Sequence, residues 1–168
     1  IELHFPASSF FFEQPALIAL GGADFSATVN GDEIPALHPV LVSKYSILQF
    51  HNIIKGARAY LAIKGGFDLT KWLGSNSTNI KAGAGGHKGR PLQTDDEIRL
   101  GAAPDLLRLI GRRECIGSPW ETDTGWHSDD ADEILLLPGN EFDRLTDSSK
   151  EKLNQQYYIV TNQSDRMG

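Results

Sequence analysis

Seven of the chain's seventeen glycines fall between Arg58 and Leu92: Gly65, Gly66, Gly74, Gly83, Gly85, Gly86 and Gly89. Between them stand the hydroxyl donors Ser75, Ser77 and Thr78 and the cations Lys81, Lys88 and Arg90. Glycine reaches φ > 0 at no steric cost and lets a ligand come close to backbone amides. With hydroxyls and cations added, the mixture suits a loop site for an anionic or amide-bearing small molecule. Tight β corners draw on the same glycines, so composition alone leaves both readings open.

Individual residues carry the same pair of readings. The planar fork of Arg90 can hold a carboxylate or phosphate with two parallel bonds, which lysine cannot do; it can equally tie glycine loops through their carbonyls. Ser75, Ser77 and Thr78 can bind an amide or carboxylate, or close turns on their own backbone. His87 stands out from the other histidines (4, 38, 51 and 127) because it sits in this loop. Lys64 faces either ligand or solvent. Asp95 and Asp96 cap a turn, or one of them works as an acid or base. The candidate catalytic residues are Arg90 and Asp96. The candidate substrate-binding residues are Gly65, Gly66, Gly74, Ser75, Ser77, Thr78, Gly85, Gly86, His87 and Arg90.

Several chemistries are absent from the pattern. Gly86-His87-Lys88-Gly89 lacks the spacing and the hydroxyl of a GxxxxGK[ST] phosphate loop. There is no GxSxG nucleophile elbow. No two histidines stand at i, i+4, and Cys115 is the sole cysteine, so no metal site and no disulfide framework are expected.

The elements that must carry this loop read as short strands. Ile1–Phe5 and Phe10–Phe12 are split by Pro6 to Ser9. Ala16–Leu20 is a compact apolar run ending at Gly21-Gly22, which suits a buried strand. Asn30-Gly31 between Ala27–Val29 and Asp32–Ile34 is a hairpin signal, because both central residues must take φ > 0. Val40–Val42, Ser46–Phe50, Arg58–Ile63 and Glu97–Leu100 follow. Thr70–Leu73 has room for one helical turn. Repeated short strands with little helical periodicity predict a mainly β chain, a barrel or sandwich. Residues 111–132 are rich in Gly, Pro, Ser and acids and read as a linker, with Trp120 and Trp126 expected to pack on a neighbouring surface. Glu133–Leu137 and Gln156–Thr161 read as strands. Thr146 reads as the N-cap of a helix over 147–154.

At 168 residues and 40% hydrophobic content the chain can bury a real core. A formal charge of −6 argues against a nucleic-acid partner. No run approaches the ~18 apolar residues of a membrane span. The composition fits a cytoplasmic protein.

Ordered blocks then point to a family. Tyr60-Leu61-Ala62-Ile63-Lys64-Gly65-Gly66, Leu73 to Thr78, Gly85 to Leu92 and Asp95-Asp96-Glu97-Ile98 resemble the pattern YLAxxGG…GSxST…GGxxGRxLxxGD. Ser164-Asp165-Arg166-Met167-Gly168 is similar to a fifth block, SDRMG. The pattern marks the carboxyltransferase-type, allophanate hydrolase subunit 2-like family, which includes the C-type subunit of 5-oxoprolinase, an antagonist of a sporulation-kinase inhibitor, and the carboxyltransferase domain of urea carboxylase. Residues 10 to 168 carry the resemblance, 118 to 132 least well. Asp95 stands where the family pattern has glycine.

The resemblance implies cyclophilin-like β-barrel subdomains: a first over 1–110 whose N-terminal part is missing, a linker over 111–132, and the start of an incomplete second over 133–168. It implies that Arg166 lines the cleft between them and binds substrate there. Unpaired edges of a partial barrel lead us to expect a homo-oligomer of the isolated piece. The implied function is that of a subunit of an ATP-dependent hydrolase opening a small cyclic amide, 5-oxoproline to glutamate, beside a partner subunit of similar fold (like the B-type subunit of 5-oxoprolinase). The alternatives are an allophanate or urea-type C–N hydrolase or carboxyltransferase domain acting on a ureide, and a non-catalytic regulatory subunit that antagonises a kinase inhibitor. ATP would serve the assembled complex. No Met-Lys biotin attachment pair occurs in the chain.

Overall fold

A computed structural model describes residues 1–101, 115–123, 136–159 and 161. The chain divides into two compact units, Ile1–Asp123 and Thr124–Gly168.

Among the described residues the first unit is built on nine strands. They are β1 (Glu2–Leu3), β2 (Phe10–Phe11), β3 (Ala16–Asp24), β4 (Ala27–Val29), β5 (Asp32–Glu33), β6 (Pro39–Val42), β7 (Ile47–Phe50), β8 (Lys55–Ile63) and β9 (Cys115–Gly117). They make two antiparallel sheets, one in the order β1-β8-β3-β6-β9 and one in the order β2-β7-β4-β5. The mainly β expectation holds, and among the described residues the sheets do not close into one barrel.

The long pair β3 and β8 forms the middle of the larger sheet, running from Ile18↔Ile63 to Gly22↔Ala59 before the register shifts at Gly22/Asp24. Gly22 (φ 81°) sits with its Cα against the carbonyl of Arg58, where a side chain would not fit. In β3 the apolar residues alternate as a half-buried strand requires: Ala16, Ile18 and Leu20 are buried, and Leu17 and Ala19 are only partly so. Ile18, Leu20, Val40, Val42, Ala59 and Leu61 of the larger sheet join Val29 and Leu48 of the smaller one in a single core, together with Phe12 and Phe25. Burying each such aliphatic chain is worth roughly 1.5–3 kcal/mol. Phe25 meets Phe5 and Phe50 edge-on, with ring centroids 5.6 and 6.5 Å away. Leu41 faces the other side of β6 and packs with Leu17 and Ile116.

The Asn30-Gly31 turn forms as expected, with φ of 52° and 94°. Three local expectations change. Thr70–Leu73 is not a helical turn: Leu73 and Gly74 both take positive φ (49° and 77°), and Trp72 and Ser75 exchange both backbone hydrogen bonds across them. Those bonds close a tight turn with Leu73 and Gly74 at its tip. Glu97–Leu100 is not a strand, despite its apolar/polar alternation. Only Leu100 bridges, to Phe67, because a ladder needs a neighbouring run and Phe67 stands alone between the Lys64-Gly65 turn and an irregular stretch. Cys115–Gly117, inside the stretch read as a linker, pairs with β6 from Val42↔Cys115 to Val40↔Gly117.

Among the described residues of the second unit, a 3-10 turn at Phe142–Arg144 precedes the helix α1 (Asp147–Gln155). Thr146 caps it, its side chain accepting from the Ser149 amide. Tyr157, Tyr158 and Ile159 are exposed and form no strand; most of Glu133–Leu137, all of Trp126 and Arg166 lie outside the described residues. No helix among the described residues is long and apolar enough to cross a membrane.

Candidate functional site

From the end of β8 the chain makes one long excursion, returning at Gly101. The Asp68 amide donates to Arg99 O, and the Gly101 amide to Gly66 O. Gly65 and Gly66 (φ 85° and 69°) thus sit at the neck of the excursion, with Gly101 packed on the carbonyl of Gly65. Beyond the neck, two small bridges, Trp72↔Ser75 and Asn79↔Ala84, fold the loop back on itself.

This folding brings separate sequence blocks together. Gly85 lies on the Ser77 carbonyl, and Gly86 lies on the Thr78 hydroxyl so closely that a methyl there would collide with it. The Gly85-Gly86 pair therefore serves close approach of one backbone to another. Gly74 sits at the tip of the Trp72–Ser75 turn with nothing near its Cα face. The Ser75 hydroxyl accepts from the Ser77 amide at 3.0 Å, a local turn closure.

Asp96 is the hub. Its side chain is 7% exposed. Arg90 donates to both oxygens, Nη1 to Oδ2 and Nη2 to Oδ1, each at 2.7 Å. The Gln93 amide donates to Oδ2 at 2.8 Å, His87 Nε2 lies 3.2 Å from Oδ1, and Lys88 Nζ donates to Oδ1 at 3.4 Å. The Arg90 guanidinium, followed by the Gln93 amide, holds the Asp96 carboxyl well below the usual carboxylate range, with His87 and Lys88 adding to it against the effect of burial. Asp96 in turn raises the Arg90 guanidinium. A carboxylate so fully donated to stays ionised at neutral pH and is a weak base. It suits fixing cations in place better than moving protons.

Exposure grades outward from this hub: the side chains of His87, Arg90 and Lys88 are 13%, 30% and 62% exposed. Asp95 takes φ 66°, the conformation that the glycine of the family pattern reaches freely. Asp95 thus takes at this position the left-handed backbone that glycine reaches without strain. Sequence reasoning missed the pairing of Arg90 with Asp96 and three further parts of this arrangement: the bond from Lys88 to Asp96, the Gln93 amide and the closure by Gly101. The position of Lys88 between His87 and Gly89 was the available signal for the first of these three. The other two are backbone contacts that no residue type announces.

The donors on this loop do not form an open cradle for a triphosphate: Gly85 and Gly86 face Ser77 and Thr78, and the Gly89 amide is donated to the Gly85 carbonyl. The arrangement is instead a rigid loop holding a fixed guanidinium beside an ammonium.

Known proteins share this frame. The sequence profile described as "Carboxyltransferase domain, subdomain A and B" matches residues 1–168. The urea amidolyase of Saccharomyces cerevisiae is 39% identical over 100 residues, covering 60% of this chain and 5% of that protein. The C-type subunit of 5-oxoprolinase from Escherichia coli is 27% identical over 158 residues, covering 94% of this chain and 47% of that protein. Among solved structures, the urea amidolyase of K. lactis is 35% identical over 60% of this chain and 6% of its own, with a TM-score of 0.55. The chain thus spans about half of the bacterial protein and a small part of the yeast enzyme. It belongs to the family of the carboxyltransferase domain, subdomains A and B.

Proposed function

We propose that the chain is part of a subunit of an ATP-dependent hydrolase that opens 5-oxoproline to glutamate, acting with a partner subunit of similar fold in the cytoplasm. The observation that carries this reading is the span of the similarity: the C-type 5-oxoprolinase subunit of E. coli matches across 94% of the chain, including the whole glycine loop. The loop's chemistry supports it. Opening a stable amide develops negative charge on its carbonyl oxygen, and preorganised donors stabilise such charge best. Lys88, held on Asp96 beside Arg90, is a donor of that kind. ATP use is assigned to the assembled complex, and no step through it is placed on this chain. In this reading Arg90 touches substrate and Asp96 holds Arg90.

A second reading, a urea- or allophanate-type carboxyltransferase, is favoured by the higher identity to the S. cerevisiae urea amidolyase, 39% over 100 residues. Intact protein co-purified with its partner subunits separates the two. Glutamate release from 5-oxoproline with ATP, lost in a folded Arg90→Ala protein, supports the first. Turnover of urea or allophanate in place of 5-oxoproline moves the assignment to the second.

A further inference from the structure

We propose that one edge of the Arg90 guanidinium, its Nε–H with the second Nη2–H, is a two-point receptor for the carboxylate of the substrate, and that Asp96 is the positioning residue that aims it. This rests on the reading of the glycine loop as the substrate site.

A guanidinium has five N–H bonds in one plane. Nη1, the nitrogen on the Cδ side, spends one on Asp96 Oδ2 at 2.7 Å and one on the Pro91 carbonyl at 2.8 Å. Nη2, on the Nε side, spends one on Asp96 Oδ1 at 2.7 Å. Asp96 therefore occupies the end of the fork, and Pro91 occupies the Cδ flank. What remains is the Nε flank, where two N–H bonds point the same way at the spacing of two carboxylate oxygens. Among the described residues, none accepts from it. At 30% exposure the side chain is within reach of a small molecule.

Two features make this edge a better receptor than an ordinary surface arginine. Its rotamer is already fixed by Asp96, so binding does not have to order a long side chain. Its charge is matched by Asp96, and Lys88 brings a second positive charge to the same carboxylate, so the bonded cluster has a surplus of one with His87 neutral. A substrate carrying one carboxylate answers that surplus, and a neutral urea does not.

The test is titration calorimetry on the intact protein with its partner subunits, using three probes: 5-oxoproline, its neutral carboxamide and inorganic phosphate. The wild-type protein is expected to bind the carboxylate at least about tenfold more tightly than the carboxamide, as a charge-assisted bidentate pair implies, and more tightly than phosphate. Arg90→Lys should abolish that preference, because one ammonium cannot offer two parallel N–H bonds. Asp96→Asn should weaken it although the charge of Arg90 remains, which is the mark of positioning. Equal binding of carboxylate and carboxamide by the wild type, which needs no variant, would overturn the inference. So would a preference that survives Arg90→Lys, or tighter binding of phosphate. Turnover of 5-oxoproline without carboxylate preference would sink this inference and leave the proposed function standing. An Arg90-dependent preference in a complex that never turns over would do the reverse.

Discussion

The sandwich of β3, β8 and their neighbours and the glycine loop beyond β8 are held by opposite means. Twelve apolar residues, Leu3 to Leu61, form one buried cluster. From Ala62 to Gly101 no apolar residue is buried. The loop is fixed instead by close backbone contacts at its glycines and by the bonds that converge on Asp96. Apolar burial is non-directional and tolerates reshaping, whereas a bidentate ion pair fixes both angle and distance. A molecule that keeps its precision apart from its bulk stability can change one without the other, and substitutions in the two regions should therefore have different signatures.

The largest effect is expected in the sandwich. Leu61→Ala removes a buried side chain from the core that both sheets share and should cost about 2–5 kcal/mol. Denaturant unfolding would show a lower midpoint for the whole first unit. A cost near zero would mean that the two sheets do not share one core.

Next comes Gly86→Ala. The added methyl meets the Thr78 hydroxyl and asks alanine to take φ 53°, so a cost of about 1–3 kcal/mol is expected, localised to the loop. Hydrogen exchange should quicken at the amides of Asn79, Ala84 and Gly89 while those of β3 and β8 keep their protection. If the strands loosened equally, loop and sandwich would be one cooperative unit and the contrast would fail.

How much of this was legible beforehand follows the same division. The Ala16–Leu20 run and the Asn30-Gly31 turn announce themselves because burial and φ > 0 select residue types locally. The loop announced its place through its glycines, but its wiring did not show. The fork of Arg90 was readable as a two-point binder, yet nothing in the sequence says that Asp96, six positions on, takes its end while its flank is left. Glu97–Leu100 alternates like a strand and is not one, because a ladder depends on a partner that period cannot reveal. Cys115–Gly117 is the converse: three residues in a polar stretch become a strand because β6 offers an edge more than seventy residues earlier.

Acid should expose the loop's dependence on charge. The folded-state Asp96 carboxyl is held far below its unfolded value by Arg90 and the Gln93 amide. Its contribution is therefore present above the unfolded carboxylate value of about 4 and is lost as pH falls below it, where the unfolded chain takes up a proton that the folded one refuses. Wild-type stability should drop through that window more steeply than that of Asp96→Asn. Parallel pH profiles would remove Asp96 from its place as the hub.

The smallest effect tests the one departure from the family pattern. Asp95 holds φ 66° where the pattern has glycine. An L-residue pays to sit there, an aspartate less than most because its short side chain bonds locally, while glycine pays nothing in the folded state and somewhat more in lost chain freedom. Asp95→Gly should thus stabilise the protein by about 0.5–1 kcal/mol. The gain should appear at the loop, as slower exchange of the Asp96 amide, with the β3 and β8 amides unchanged. A loss of stability would mean that the Asp95 side chain holds the turn through bonds of its own, and the substitution would then be a rebuilt turn in place of a tolerated one.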